Sequence, residues 1–377
     1  MRNGPVLVAL AAALLGVTPA RAEAPVAKVS VAVAPSRVWA VPGDGLNKVN
    51  FDLLVTNEGT APVEIVELRL SVFDSKGAFV TGRELNRLGM IPSIQSLQTR
   101  EVEPGKTVQL LNPFHEFPAD VELATLRCAL VCMPRGNSEE EPAGAKPVEV
   151  EFTVRPEPLK VKTALSLPLK GKVYVWDGHE YYAHHRRIDM THPLILQLGI
   201  KNNISRYGLD FMAVDAEGRR FKGAGENLED YHIFGRVIHA PAAGTVEDCV
   251  DGRPDSPIGE MLVDYEEIMR TKDLRLFGGN FVILDHGNGE RSYFAHMKQG
   301  SVKVKKGDRV AAGQPLGQVG SSGDSAEPHL HYHLLSGQGL DAELLPPLFR
   351  DYTLHLGGRA GKVRSGVPDT GDLVESR

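Results

Sequence analysis

The stretch Glu327–His333, "EPHLHYH", places a histidine at every second position. In a β-strand, side chains two residues apart point to the same face of the sheet. We therefore expect His329, His331 and His333 to line one side of a strand. Imidazoles grouped in this way are suited to binding a metal ion, provided that other parts of the chain supply further ligands.

The composition is that of a globular protein. The chain has 377 residues, of which 42% are hydrophobic and 24% charged, and this length is enough for two or three domains with buried cores. The net charge of −6 gives no reason to expect a nucleic-acid partner, because surfaces that bind nucleic acids are usually basic.

Residues 1–22 have the pattern of an export signal. Arg2 precedes the apolar run Val6–Val17, and Pro19–Ala22 ends in a small-x-small site, so cleavage is expected after Ala22. The run is shorter than the roughly 20 residues that a membrane-spanning helix needs, and no membrane span is expected. We expect an exported protein and, since no wall-anchoring repeat is visible, a periplasmic one.

The three cysteines do not predict a disulfide framework. Cys128 and Cys132 lie four residues apart in an apolar run that reads as a strand, so their Cα atoms would be roughly 13 Å apart, too far for a disulfide. Cys249 is distant in the chain. Buried free thiols are the expected state of Cys128 and Cys132.

The chain is predicted to be mainly β. Residues 25–155 alternate short β-rich runs with turns, which is typical of an immunoglobulin-like antiparallel sandwich. Residues 156–171 carry three prolines and are predicted to be an extended linker. Residues 172–357 form a second β-rich domain, and residues 358–377 are expected to be a disordered tail. The polar stretch Gly136–Lys146 is expected to be an exposed hairpin loop.

The second domain contains further histidines beside β-rich runs. His296 follows "YFA", and His329 and His331 follow the flexible stretch "GSSGDSAEP". Zinc takes histidine nitrogens and carboxylate oxygens, and a catalytic zinc site keeps one position open for water. These residues are therefore candidates for a zinc site, although two histidines on one strand need not both be ligands.

The motifs "VIHAPAAGTV", "GGNFVILDHGNG", "YFAHM", "GDRVAAGQPLGQVGSSG" and "PHLHYH" occur in this order between Leu209 and Leu335. Together they resemble the lysostaphin/LytM-type zinc metallopeptidases, which cut peptidoglycan peptides. The resemblance implies a LytM-type antiparallel β domain, a Zn²⁺ cofactor, peptidoglycan peptides as substrate, and metal-assisted hydrolysis of a peptide cross-link. The sandwich would then be a candidate docking site for a regulatory protein.

The resemblance also implies residue roles. His331 is the zinc ligand of the His-x-His pair, while His329 and His296 contact the reacting water or the polarised carbonyl. Asp210 matches the aspartate of the family's His-x-Gly-x-Asp motif, but Arg206 occupies the histidine position. A guanidinium has only donors and cannot bind zinc. Part of the family has a His-His-Arg-Arg stretch upstream, so we expect His185, or else His184, to replace it.

A second interpretation is that the site is degenerate. Arg206 would then pair with Asp210, and the domain would bind cell wall or activate an amidase without cutting. The presence of His296 and His329, which are needed for chemistry rather than folding, favours an active enzyme. A third possibility is a wall-binding scaffold in which the sandwich is the functional part.

The remaining polar residues of this domain receive simpler interpretations. His333 is expected to orient a ligand from behind or else simply to line the groove, and the first alternative is preferred. His232, His239 and His286 are expected to be structural or exposed, and Asp264 and Asp285 to be surface or turn residues.

Overall fold

The computed structural model describes residues 27–43, 45–135, 146–339 and 342–376. The export signal and most of the predicted hairpin loop at Gly136–Lys146 lie outside these ranges. Within them, no helix is long and apolar enough to span a membrane. The protein is mainly β, as the sequence predicts.

The N-terminal part consists of strands connected by turns. They are β1 (Val29–Ala34), β2 (Trp39–Pro42), β3 (Leu46–Val49), β4 (Asp52–Asn57), β5 (Val63–Phe73), β6 (Phe79–Leu85), β7 (Glu101–Val102), β8 (Thr107–Leu111), β9 (Glu116–Pro118), β10 (Thr125–Pro134), β11 (Val148–Val154) and β12 (Glu157–Pro158). A short 3-10 helix spans Ser93–Ser96.

Four of these strands form a sheet in the order β12-β2-β3-β9. The other eight form one sheet in the order β1-β4-β8 and another in the order β11-β10-β5-β6, with β7 also paired to β5. Buried and more exposed side chains largely alternate along β5, as expected for a strand with one face on a core. Leu53, Leu70 and Leu130, from the last two of these sheets, belong to one hydrophobic core. We call residues 27–135 and 146–158 the N-terminal unit.

Cys128 and Cys132 both lie on β10, and both are buried free thiols. Burial raises the pKa of each thiol to about 12. The prediction that they are unpaired and buried is confirmed.

The C-terminal unit, residues 159–376, contains thirteen further strands among the described residues. They are β13 (Gly171–Asp177), β14 (Leu209–Met212), β15 (Val237–His239), β16 (Gly244–Val250), β17 (Phe281–Asp285), β18 (Arg291–Ala295), β19 (Arg309–Val310), β20 (Pro315–Gln318), β21 (Leu330–Leu335), β22 (Leu344–Leu345), β23 (Phe349–Leu356), β24 (Arg359–Gly366) and β25 (Leu373–Ser376).

The helices of this unit are short. They are α1 (Pro193–Leu198) and α2 (Tyr265–Thr271), with 3-10 turns at His185–Arg187, Leu228–Asp230 and Leu274–Gly278. Pro193 begins α1, and Gly199 ends it with a positive φ of 73°. Leu198 of α1 and Ile268 of α2 share a small core.

The large sheet of the C-terminal unit has the order β19-β16-β17-β18-β21-β14-β13-β25-β23-β24, with β22 paired to β21. The four central strands β18, β21, β14 and β13 bring together parts of the chain that are far apart in sequence. This order places the histidine strand β21 next to the aspartate strand β14.

The prediction that residues 358–377 form a disordered tail is wrong. Residues 359–366 and 373–376 form β24 and β25, which pair with β23 and β13. Val374 is fully buried. The apolar residues of this segment are few, so its composition did not indicate the strand pairing.

The segment predicted as a linker is also more than a spacer. Glu157 and Pro158 pair with β2. Leu165, Leu167 and Leu169 are buried in the core of the C-terminal unit. Their alternate spacing, two residues apart, lets one face of an extended segment pack against the core. The precise domain limits stay predictions.

Candidate metal centre

One row of residues crosses the central strands of the large sheet. Asp177 on β13 is the cross-strand partner of Asp210 on β14, which is the partner of His331 on β21, which in turn faces Ala295 on β18. The next residue after Ala295 is His296. The sheet register therefore gathers polar groups from four strands at one edge of the buried core.

His185, Asp210 and His331 form a cluster whose candidate ligand atoms all lie within 4.8 Å of one another. Nε2 of His185 is 3.4 Å from Oδ2 of Asp210, and Nδ1 of His331 is 2.9 Å from Oδ1 of Asp210. In a tetrahedral zinc site with bonds of about 2.0–2.2 Å, ligand atoms lie about 3.3 Å apart. The 3.4 Å spacing of His185 and Asp210 fits such an ion, whereas the 2.9 Å spacing of His331 and Asp210 is that of a hydrogen bond.

The hydrogen bonds of His185 fix which ring nitrogen is free. Nδ1 lies 3.1 Å from Oδ2 of Asp177 and 3.2 Å from the Gly208 carbonyl oxygen. Both oxygens accept, so Nδ1 carries the hydrogen and donates it. Burial lowers the pKa of His185 to about 4, although Asp210 opposes the shift. The neutral ring therefore presents the lone pair of Nε2 to Asp210.

Asp210 is a buried carboxylate. Burial alone would raise its pKa, but His185, His329 and His331 outweigh burial and hold the pKa well below the ordinary value. A carboxylate oxygen and an unprotonated ring nitrogen 3.4 Å apart face each other without a hydrogen between them. A cation placed between them would satisfy both groups, so the donor set fits a metal ion.

His333 lies beside His331, as the alternating pattern predicts. Its Nδ1 is 3.1 Å from Nε2 of His331, and its ring stacks on Tyr293 with centroids 4.7 Å apart. With Nε2 bonded to His333, Nδ1 is the nitrogen of His331 that faces Asp210. Burial, together with His331 and His185, lowers the pKa of His333 well below its ordinary value.

His329 and His296 stand beside the cluster, with ring centroids 4.7 Å apart. Nδ1 of His329 donates to the Glu327 carbonyl oxygen over 2.9 Å, and Nδ1 of His296 donates to the Ser322 carbonyl oxygen over 2.8 Å. In the neutral form of each ring, Nε2 is therefore an acceptor. Nε2 of His329 is 3.7 Å from Oδ1 of Asp210.

The backbone of His296 is in the left-handed region, with φ of 59°. This conformation is uncommon for a residue other than glycine and costs of order 1–3 kcal/mol. It is held by hydrogen bonds from His296 N to the Gly278 carbonyl oxygen and from Gly320 N to the His296 carbonyl oxygen. Burial, with His329 and His331, lowers the pKa of the ring well below its ordinary value.

His184, the second candidate for the missing ligand, is the most exposed histidine of the group. Nδ1 is 3.0 Å from Oδ2 of Asp177, and Nε2 is 3.9 Å from Oδ2 of Asp210. Burial lowers its pKa, but Asp177 and Asp210 raise it more, so the net shift is upward. A ring that holds its proton more firmly is the poorer metal ligand of the two, which favours His185.

The degenerate-site interpretation supposed that Arg206 pairs with Asp210, but the two side chains do not pair. Its guanidinium donates to Oδ1 of Asn50 over 2.8 Å and to Oδ2 of Asp52 over 2.7 Å. The residue at the expected histidine position therefore binds the N-terminal unit instead, and Asp210 remains available.

Gly208, between Arg206 and Asp210, allows this close approach. A Cβ at this position would lie 2.8 Å from Cε1 of His331 and 3.3 Å from Nδ1 of His185. The glycine of the "RYGLD" stretch thus leaves room for both imidazoles.

Asp177 was not singled out from the sequence. It accepts from the ring of His185 and also from the backbone N–H groups of His184 and His185, at 3.1 and 3.2 Å. An aspartate at the end of a β-run, eight residues before a histidine, carries no recognisable signal. Its role depends on the strand pairing of β13 with β14.

A groove of about 750 Å³ opens onto the cluster. Its lining includes His184, Asp210 and His331, together with apolar residues of α1, of the 3-10 turn Leu274–Gly278 and of several loops. Asp324 also lines it, and burial raises the pKa of this carboxyl. The groove gives a ligand access to the candidate metal site.

The residues given simpler roles lie away from this cluster. Both ring nitrogens of His286 are bonded, to Ala243 and Ser292, and His239 lies on β15. Asp264 is the N-cap of α2, and Asp285 accepts from Gly287 in the hairpin turn. His232 lies 3.9 Å from Asp215.

Residues 230–342 match the model of Peptidase family M23. The chain carries an M23 peptidase domain. The curated relatives include the peptidoglycan DD-endopeptidase ShyA of Vibrio cholerae, 39% identical over 59 residues, which are 16% of this chain and 13% of ShyA. Lysostaphin of Staphylococcus simulans is 34% identical over 96 residues, 25% of this chain and 19% of lysostaphin. The resemblance predicted from the motifs is confirmed.

The murein hydrolase activator EnvC of Escherichia coli is 38% identical over 111 residues, 29% of this chain and 22% of EnvC. Each match thus spans less than a quarter of the relative's length.

Among solved structures, the catalytic domain of lysostaphin from Staphylococcus simulans is similar to this chain at 20% identity and a TM-score of 0.25. The alignment covers 47% of this chain and 89% of that domain. The matched range, residues 230–342, contains His296, His329, His331 and His333. His185 and Asp210 precede it.

Proposed function

We propose that the protein is an exported zinc-dependent endopeptidase that hydrolyses peptide bonds in peptidoglycan cross-links. The observation that carries the proposal is that Nε2 of His185 lies 3.4 Å from Oδ2 of Asp210, with His331 beside them. The names of ShyA and lysostaphin support the substrate class, and the predicted export signal would bring the protein to the cell wall.

His185, Asp210 and His331 would hold the zinc ion. When bound, zinc acts as a Lewis acid that activates water and polarises an amide carbonyl. The two further histidines would handle protons and charge. Nε2 of His296 and of His329 are acceptors in the neutral rings, so either ring can take a proton from water and return it to the leaving amine. Once protonated, the ring can stabilise the negative charge on the carbonyl oxygen.

The groove would hold the peptide in front of these groups. Its apolar lining residues offer a surface against which the side chains of a bound peptide can pack. A peptide chain can lie along an open groove, whereas a closed cavity would admit only small molecules.

A second candidate function is activation of another murein hydrolase without cutting, which the name of EnvC suggests. The two functions differ in metal content. We expect purified protein to contain about one zinc per chain and to release cleaved muropeptides, and His331→Ala and Asp210→Ala to lose both properties. His355→Ala, far along the sheet on β23, is the matched control. Wild-type protein without zinc that stimulates an amidase would establish the alternative.

A further inference from the structure

The segment that carries His185 is held from outside. His185–Arg187 is a 3-10 turn of three residues, and such a short turn has little stability of its own. Besides Asp177, which accepts from the backbone of His184 and His185, the contacts that fix it come from the N-terminal unit and from residues 203–208.

Asp52 of β4 is the centre of these contacts. It accepts from Nη1 of Arg186 and from Nη2 of Arg206, the latter over 2.7 Å. Arg186 also donates to the Phe51 carbonyl oxygen over 2.7 Å, and Arg206 to Asn50 over 2.8 Å. Asp52, Arg186 and Arg206 are all at least 95% buried, with exposures of 1%, 1% and 5%.

A second set of hydrogen bonds extends this contact along the same segment. Gln109 of β8 donates to the Ile188 carbonyl oxygen over 3.1 Å and accepts from Met190 N over 2.7 Å. Asn203 donates to the His185 carbonyl oxygen over 2.9 Å. The backbone on both sides of the His185 ring is therefore fixed.

We propose that Asp52 is a positioning residue for the candidate metal site. By pairing with Arg186 and Arg206, it holds the two segments that carry His185 and Gly208, so that the His185 ring points at Asp210 and His331. The N-terminal unit thus completes the metal site from behind, in addition to any partner that it binds. The proposal rests on the proposed function in one respect, the assignment of His185 as a ligand.

The physical reason is the cost of an unpaired buried charge. Without the Asp52 carboxylate, two guanidinium groups would remain buried and close together, and removing one partner of a buried ion pair is strongly destabilising. The segment that can relieve this repulsion is the short turn with Arg186, and its movement would take the His185 ring away from Asp210.

The test compares the zinc affinity of full-length variants by competition with a chromogenic chelator. Asp52→Asn keeps the shape of the side chain and removes its charge, and we expect zinc binding at least tenfold weaker with an unchanged ratio of one zinc per chain. Arg206→Gln leaves the Asp52–Arg186 pair intact. It should also weaken zinc binding, but by a smaller factor than Asp52→Asn. Co²⁺ bound in place of zinc should show altered visible absorption in both variants.

Lys48→Gln is the matched control, because Lys48 is also buried in the N-terminal unit but pairs with Asp369, between β24 and β25. It should bind zinc as the wild type does. A folded Asp52→Asn protein with zinc affinity within twofold of wild type would overturn the proposal, as would equal weakening by Lys48→Gln. If Asp52→Asn does not fold, wild-type affinity in Arg206→Gln decides against it.

These outcomes are separate from failure of the proposed function. Wild-type protein that binds no zinc, or His185→Ala that binds zinc normally, would refute the ligand assignment itself. Normal zinc binding that depends on His185 but not on Asp52 would refute the positioning role alone.

Discussion

His331 and Asp210 lie directly opposite each other on neighbouring antiparallel strands, with Nδ1 and Oδ1 2.9 Å apart, although 121 residues separate them in the chain. The pairing of β14 with β21 therefore sets the distance between two of the three candidate ligands. The third, His185, reaches the same point from a short turn outside the sheet. The site thus combines a rigid pair with one ligand whose position depends on its surroundings.

Asp177→Asn should weaken zinc binding by about 10–100-fold, because the carboxylate orients the His185 ring and favours the tautomer with Nε2 free. An amide can place its NH₂ group toward Nδ1 and so favour the wrong tautomer. Zinc affinity measured by chelator competition checks this. Asp215→Asn, at an exposed ion pair with Arg219, is the control, and equal affinities for the two variants would contradict the role given to Asp177.

Gly208→Ala should lower zinc affinity at least tenfold while the protein remains folded. The added methyl group would press on His331 and His185, at 2.8 and 3.3 Å, and displace the rings that hold the ion. Gly361→Ala on β24 is the matched control, since the nearest atom to its added Cβ is 4.0 Å away. Zinc titration of both variants, with circular dichroism to verify folding, makes the comparison. Unchanged affinity in Gly208→Ala would show that the two rings are not crowded at this glycine.

Arg206→His restores the residue that the family motif has at this position, but it should not add a metal ligand. The Arg206 side chain is directed to Asn50 and Asp52, so its loss should reduce the free energy of unfolding by about 2–3 kcal/mol. Chemical denaturation and metal analysis test both parts. Arg219→His, at an exposed site, should change stability by well under 1 kcal/mol. Tighter zinc binding in Arg206→His would argue that position 206 can still reach the metal.

His286 should make the protein less stable at acid pH. Burial lowers its pKa below the ordinary 6.5, so between pH 6.5 and that lower value the unfolded chain binds a proton that the folded chain does not. The free energy of unfolding contributed by this residue therefore falls as the pH falls through this window. We expect the difference in Tm between pH 7.5 and pH 5.0 to be smaller in His286→Gln than in the wild type. Identical differences would count against a half-buried neutral ring at this position.

Much of the site could be predicted because its signals are local. Alternate histidines on a strand must share a face, and β21 brings His331 and His333 together as expected. The "RYGLD" stretch indicated Asp210, and the mismatch at Arg206 directed attention to His185. The shared face of the histidines follows from spacing along one segment, whereas Asp210 and His185 were indicated by the resemblance to the lysostaphin/LytM-type motifs.

The other features depend on contacts between distant segments. Asp177 gains its role from the register of β13 against β14, and the polar tail became two strands because β13 and β23 had free edges for it. Arg206 binds Asp52 and not Asp210 because the N-terminal unit lies against this side of the site. Nothing near these residues in the chain specifies the partner.

The sequence by itself determined the mainly β class, the histidine strand and the chemistry of the candidate ligands, because side-chain alternation and donor type are properties of single residues and their near neighbours. Only the tertiary structure decided that His185 faces Asp210 and that Arg206 faces away. That choice follows from the burial of charge, since two guanidinium groups inside the protein require a carboxylate beside them, and Asp52 is the one that the fold brings there.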